Sequence, residues 1–382
     1  MIALAYKMLI GNRSSCIAVI FGIFLATLLI SQQSAIFLGL VARSYRLVTD
    51  IPEPTIWVMD PVTESEDKLR TLPLSYLDLV RGTQGVEWAV PLTHSSLPLI
   101  TPSGTFDICN IYGVDDATLI GAPSQMIEGS IRDLRREGGV IVDVYSANQS
   151  LSKEKNGTKI PLTIGDTLEI NGAQAVVVGI CKVTQNFYPQ PILFTSFTNF
   201  KKFNPGLAQR MGFVLVKTWP DANVQKVANA INLHPGLHAL TKEKFKDRII
   251  TFFLKTGILI NFGLSVALGI IIGFSIAGQI FYFMTLENMI YFALIKAMGG
   301  TKNMILKMIL FQAFVVGIIG FLLGIAITVL WGLAIKNTTL TFLFPWQLLL
   351  FSGGIVLFIC GFTAALSIKK VLHADPKILM GT

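Results

Sequence analysis

Four stretches without a single Asp, Glu, Lys, Arg or His decide what this chain can become: residues 14–42, 256–286, 308–335 and 337–368. A bilayer core of about 30 Å is crossed by about 20 apolar residues in a helix. In hydrocarbon every backbone N–H and C=O must find a partner inside the segment, which a helix provides. Each stretch is longer than this minimum. Composition agrees: 52% of the residues are hydrophobic and 14% charged, against about 25% charged in soluble domains. Lys336 and the polar run Asn337, Thr338, Thr339 separate the last two stretches, and Pro345 marks the early fourth span. The first stretch outruns the roughly 7–15 apolar residues of a cleaved signal and ends in no A-x-A site, so it reads as a retained span. The sequence predicts an α-helical membrane protein with four transmembrane helices plus an α+β extracytoplasmic domain inserted between helices 1 and 2.

The net charge of +8 comes without a dense Lys/Arg run or a basic-aromatic platform, which excludes nucleic acid and leaves membrane lipid as the anionic partner. Lys7, Arg13, Lys296, Lys302, Lys307, Lys369, Lys370 and Lys377 favour both termini and the loop between spans two and three inside. Arg43, Arg46, Lys244, Lys246, Arg248 and Lys255 flank the spans on the opposite side, so the charge rule alone leaves the orientation open. Residues 14–47 contain no Pro, a helix of about 50 Å at 1.5 Å per residue. Residues 242–284 also lack Pro and allow about 60 Å if unbroken. Two such helices predict a stalk.

The middle of the chain reads as mixed α and β. Residues 55–59 (TIWVM) form a strand, 74–81 a helix and 86–92 (VEWAVPL) a second strand; residues 212–217, 221–233 and 237–240 repeat the pattern, with Asp221 as helix cap. Paired, the two units predict a split βαβ lobe. Residues of about 120–200 read as an inserted β-rich lobe, with strands at 139–145, 168–183 and 191–197 and a hairpin turn at Asn171-Gly172. Cys16 and Cys360 lie in apolar runs. Spacing does not settle whether Cys109 and Cys181 pair, and the reading favours free thiols.

Several chemistries are missing. No G-x-x-x-x-G-K-[ST] occurs, nor any Gly-Lys pair, so the chain has no P-loop for ATP. No HExxH or G-x-S-x-G occurs. His234 and His238 are separated by Pro235-Gly236, which forbids the helix that would align them on a metal. Asn148-Gln149-Ser150 and Asn156-Gly157-Thr158 match glycosylation sequons without functional weight. The charge-free spans argue against a proton relay or a wet ion path. The polar cluster Ser31-Gln32-Gln33-Ser34 is expected to hydrogen-bond a neighbouring helix. Gly269-x-x-x-Gly273 and Gly320-x-x-x-Gly324 permit close helix approach, within one chain or between two; for Gly269 and Gly273 the reading favours a second copy.

After the second span comes Glu287-Asn288-Met289-Ile290-Tyr291-Phe292-Ala293-Leu294-Ile295-Lys296-Ala297-Met298-Gly299-Gly300-Thr301. It resembles the E-R-x-x-E-I-G-x-L-K-A-L-G-A-[ST] stretch of MacB/FtsX-type ABC transporter permeases, matching at Glu287, Leu294, Lys296, Ala297, Gly299 and Thr301. It departs at Asn288, Tyr291 and Ala293, where that family has Arg, Glu and Gly; Tyr291 leaves no acid there for a salt bridge to an ATPase. Gly165-Asp166 with residues 176–180 (VVVGI), and His373-Ala374-Asp375-Pro376, resemble further family segments. The order of one span, a domain, then three spans is the family layout. The DevC branch, which exports glycolipid with a membrane-fusion protein, is similar in size.

The resemblance implies a permease subunit that works by mechanotransmission with a separate ABC ATPase, exporting or extruding a substrate from the outer face of the bacterial inner membrane. It implies a homodimer, and as further partners a membrane-fusion protein and an outer-membrane channel. ATP and Mg would bind the ATPase, with no cofactor, metal or catalytic residue on this chain. The alternative is an FtsX-like signalling subunit that controls cell-wall hydrolases without transport; a sensor or enzyme acting alone is a further rival. The expected layout is a cytoplasmic segment 1–13, spans 14–42 (extended to about 47), 255–284, 303–335 and 343–369, a periplasmic domain 43–250, a cytoplasmic coupling helix 285–302 and a tail 370–382. Glu287, Tyr291, Leu294, Ile295, Lys296, Met298, Gly299 and Gly300 are the expected ATPase-coupling residues. Lys296 and Lys302 would face water, and Met289, Phe292 and Ile295 a membrane or partner.

Overall fold

In the computed structural model the chain divides into two units, Met1–Val41 with Gly257–Thr382, and Ala42–Thr256. The structure describes residues 2–11, 13–155, 158–188, 190–335 and 340–373. The separator at 336–339, Asn156 and Gly157 of the second sequon, and the tail with Asp375, Pro376 and Lys377 lie outside the described residues.

The apolar stretches become four long helices, Arg13–Ser44, Ile258–Glu287, Lys302–Ala334 and Trp346–His373, each long and apolar enough to cross a membrane. Pro345 immediately precedes the last helix, where its missing N–H costs nothing. Two short helices complete this unit: Ile2–Gly11 before the first span and Met289–Ala297 between the second and third. Its core joins Ala5 and Leu9 of the N-terminal helix, Ile23 and Ile30 of the first span, Phe292 and Ile295 of the short helix, and Ile309 and Val316 of the third span.

Neither long connection to the inserted domain is one unbroken helix. The first ends at Ser44, turns at Tyr45 and resumes over Arg46–Asp50. The second is a helix over Lys242–Lys255 that stops before Gly257, whose φ of +79° is left-handed; the span starts afresh at Ile258. The continuous helix of about 60 Å is therefore not formed. A left-handed residue ends the α-helical hydrogen-bond ladder, and glycine takes that conformation without a Cβ penalty.

The inserted domain is built on one twisted ten-stranded sheet: Ile56–Met59 (β1), Val86–Ile100 (β2), Phe106–Val114 (β3), Met126–Gly129 (β4), Gly139–Asp143 (β5), Thr167–Ile170 (β6), Ala173–Cys181 (β7), Ile192–Ser196 (β8), Phe213–Thr218 (β9) and His238–Thr241 (β10). Its order is β10-β1-β9-β2-β3-β8-β5-β7-β4, with β6 beside β7 and β2. The first four positions pair antiparallel, and helices Ser75–Arg81 and Val224–Ile231 share the core of one face with β1, β9 and β10. This is a split βαβ arrangement. On the other face Trp57, fully buried, meets Phe213 and Phe245, so the helix Lys242–Lys255 closes the second side. The helix cap is Asn223, which accepts from the Lys226 N–H at 3.1 Å, rather than Asp221.

Strand β2 does not stop at residue 92 but runs on to Ile100, pairing with β9 through its first half and β3 through its second. It carries the chain into the second lobe, where β8 lies parallel to β3 and β7 parallel to β5. Asn171 and Gly172 both have positive φ and join β6 to β7 as a tight hairpin. Cys109 and Cys181 are free, buried thiols; burial pushes the pKa of Cys109 up to about 12 and that of Cys181 higher still.

Candidate coupling helix and membrane core

The short helix Met289–Ala297 is set off from the second span by Asn288, whose backbone leaves the helical region and whose amide donates to the Met284 carbonyl at 2.9 Å. Its two faces are both apolar but differ in surroundings. Phe292, Ala293 and Ile295 are turned inward, each no more than 5% exposed. Ile290, Tyr291, Leu294 and Met298 are exposed, Met298 at 79%. The spacing 290, 294, 298 with 291 places these four on one stripe. Of the residues expected at a partner, Ile295 and Phe292 thus belong to the protein's own core.

Gly299 and Gly300 end the helix. The Gly300 N–H reaches the Ile295 carbonyl at 2.9 Å and the Gly299 N–H the Lys296 carbonyl at 3.1 Å, the two bonds of a Schellman cap. Gly299 has φ +89°, and a Cβ on Gly300 would lie 2.8 Å from the Ile295 carbonyl oxygen. Lys302 then opens the third span. Glu287 accepts a hydrogen bond from the Ser15 hydroxyl, tying the end of the second span to the start of the first. Gln312 donates to the Ala5 carbonyl at 3.0 Å and so pins the N-terminal helix to the third span. Neither link was read from the sequence, although a glutamine inside an apolar window is the signal for one.

Both glycine pairs pack on the first span of the same chain. A Cβ on Gly320 would come within 2.8 Å of Ile23 Cβ, and one on Gly324 within 2.6 Å of Thr27 Cβ. One on Gly273 would lie 3.0 Å from the Ala26 Cα, and one on Gly269 3.6 Å from the Leu29 carbonyl oxygen. Gly269 and Gly273, for which the sequence leaves both partners open and favours a second copy, thus meet the first span within the chain. One turn beyond Gly324, the Ser31 and Thr328 hydroxyls bond at 2.7 Å, both fully buried. Gly324→Val should lower the stability of the chain in nanodiscs by about 1–3 kcal/mol by overpacking this contact. Gly361→Val, whose added carbons meet open space, should leave the thermal midpoint unchanged or raised; equal losses at both positions would reject the packing role.

The chain matches the MacB-like periplasmic core domain over residues 16–233 and the FtsX-like permease C-terminal domain over residues 263–376. Among solved structures it is similar to the periplasmic region of MacB from Actinobacillus actinomycetemcomitans, at 16% identity over 53% of this chain and 95% of that one, with a TM-score of 0.39. It is also similar to the extracellular domain of the noncanonic ABC-type transporter YknZ from Gram-positive bacteria, at 14% identity over 49% of this chain and 99% of that one, with a TM-score of 0.36. No curated protein sequence matches the chain. With the first domain match alone spanning more than half of the residues, and the second covering the last three spans, the chain belongs to the MacB/FtsX-type permease family.

Proposed function

We propose that this chain is the permease subunit of an ABC transporter, driven by a separate ATPase that docks on the helix Met289–Ala297. The observation that carries the reading is the exposed stripe of Ile290, Tyr291, Leu294 and Met298 on a helix between two spans. An apolar stripe on a helix of fixed position suits a groove on a partner. Members of this family are components of ABC transporters that work with an ATPase. In this reading both termini and the short helix are cytoplasmic, the membrane is the bacterial inner membrane, and two copies of the chain sit on two ATPase subunits that carry ATP and Mg. ATP-driven closure moves the short helix, and the motion passes along the first and second spans to the periplasmic domain. The long apolar helices carry no charged side chain through their middles, which favours moving material at the outer face over conducting a polar solute.

The chain purified alone and placed in nanodiscs should hydrolyse no ATP, and adding the ATPase should bring turnover that depends on the permease. Hydrolysis by the lone chain, persisting after contaminating ATPases are removed, would overturn the proposal.

A further inference from the structure

Three cations, Lys68, Arg248 and Lys255, gather at one point of the inserted domain, the last two among those that leave the charge rule undecided. Glu64 holds two of them: Lys68 Nζ lies 2.6 Å from Oε2 and Lys255 Nζ 3.8 Å from Oε1. Arg248, Phe252 and Lys255 follow one another at i, i+4 and i+7 on the helix Lys242–Lys255 and so share a face. The Phe252 ring sits under the Lys68 ammonium, 5.8 Å from it. The Arg248 guanidinium is held beside the cluster by a 2.6 Å bond to the Pro61 carbonyl. Lys68, and Lys255 in addition, hold the Glu64 carboxyl below its usual pKa, with Arg248 contributing through its charge. Three cations against one carboxylate leave a net charge of +2. Arg70, nearby, is already matched by Asp60 at 3.7 Å. Both lysines are more than half exposed, at 59% and 69%.

The cluster stands at a defined depth. Lys255 precedes the second span by three residues, a reach of no more than about 11 Å. That span has 30 residues, about 45 Å of helix, which equals the bilayer with both headgroup layers. Crossing the bilayer from end to end, such a helix would bring Ile258 to the headgroup boundary and Lys255 beside it. Leu254, exposed next to Lys255, offers an apolar contact at the same level.

We propose that Lys68, Arg248 and Lys255, arranged around Glu64, bind the phosphate of an anionic phospholipid headgroup. The two ammonium groups already face the two oxygens of one carboxylate, and a phosphodiester presents a like pair of oxygens sharing one negative charge. The inference requires a lipid headgroup but no ATPase, so it stands or falls apart from the transport reading.

The test uses the full chain in detergent, titrated with phosphatidylglycerol or phosphatidylcholine, with bound lipid counted by native mass spectrometry. One phosphatidylglycerol should be retained preferentially. Lys68→Gln with Lys255→Gln should weaken it about 25-fold, about fivefold for each cation lost, and leave phosphatidylcholine unaffected. Glu64→Gln should tighten it, because the competing carboxylate is gone. Lys226→Gln with Lys244→Gln, on the same domain but outside the cluster, should change nothing. Equal weakening in the two double variants would show diffuse attraction and overturn the site. Inorganic phosphate displacing the lipid at equal concentration would assign the site to free anions and equally overturn the proposal.

Discussion

Leu294→Asp should abolish retention of the ATPase by the membrane-inserted chain, weakening the complex at least 100-fold, while the protein still reaches the membrane at wild-type levels. Leu294 lies mid-stripe, exposed beside Tyr291 and Met298, and contributes nothing to the core of the membrane unit. In the free protein its aspartate is solvated. In a docked groove it becomes a desolvated carboxylate without a partner, a cost of several kcal/mol. The neighbouring substitution gives the contrast. Ile295 is 5% exposed and packs with the residues that hold the N-terminal helix and third span. Ile295→Asp should therefore lower stability and yield before any partner is added. Pull-down of the ATPase and thermal unfolding in nanodiscs separate the two. Normal capture and normal coupled turnover in Leu294→Asp would remove the stripe from the docking surface.

Arg46→Met should destabilise the inserted domain by about 3–5 kcal/mol. Arg46 opens the short helix that follows the first span, and its side chain is 1% exposed. It lies 3.4 Å from Glu66, donates to the Tyr112 hydroxyl and reaches the Thr184 carbonyl at 3.5 Å. Tyr112 in turn donates to Glu66 at 2.8 Å and stacks between His94 and Phe194. Desolvation works against the charged guanidinium, but Glu66, Tyr112, Asp50 and Asp67 outweigh it and raise its pKa. Burial holds His94 below its usual pKa and so neutral, which spares Arg46 a second cation nearby. Removing the guanidinium leaves Glu66, 9% exposed, as a buried charge without its cation. The double change Arg46→Met with Glu66→Leu should recover at least half of the loss, because the penalty arises from the stranded charge. Unfolding of the intact chain, followed by limited proteolysis within the inserted domain, reads this directly. A single variant within 1 kcal/mol of wild type would show that the cluster is not structural.

The membrane architecture was legible because it follows from one-dimensional information: a charge-free run either crosses lipid or stays unfolded. The family was legible for a similar reason, since the residues from Glu287 to Thr301 carry their likeness in linear order. The interior of the short helix Met289–Ala297 was not. Its nine residues are apolar nearly all round, so periodicity could not tell Phe292 and Ile295, which face the core, from Tyr291 and Leu294, which face outward. Arg46 read only as a cation flanking a span, because its partners Glu66, Tyr112 and Thr184 lie 20 to 138 positions away. The packing of Gly269 and Gly273 against the first span of the same chain was not legible on the same ground: small residues announce close approach without naming the neighbour, and the sequence left a second copy open. The interruption at Gly257 escaped because glycine is tolerated inside a helix, and only tertiary geometry selects its left-handed state.

That interruption has a mechanical meaning. A continuous helix resists bending and twisting together, because every turn is bonded to the next. At Gly257 the turn-to-turn bonding is broken and restarted, and at Tyr45 the backbone likewise leaves the helix. Each long span is therefore a rod that ends at its own membrane unit, and the helix beyond each interruption is built as a separate element with its own hydrogen-bond ladder.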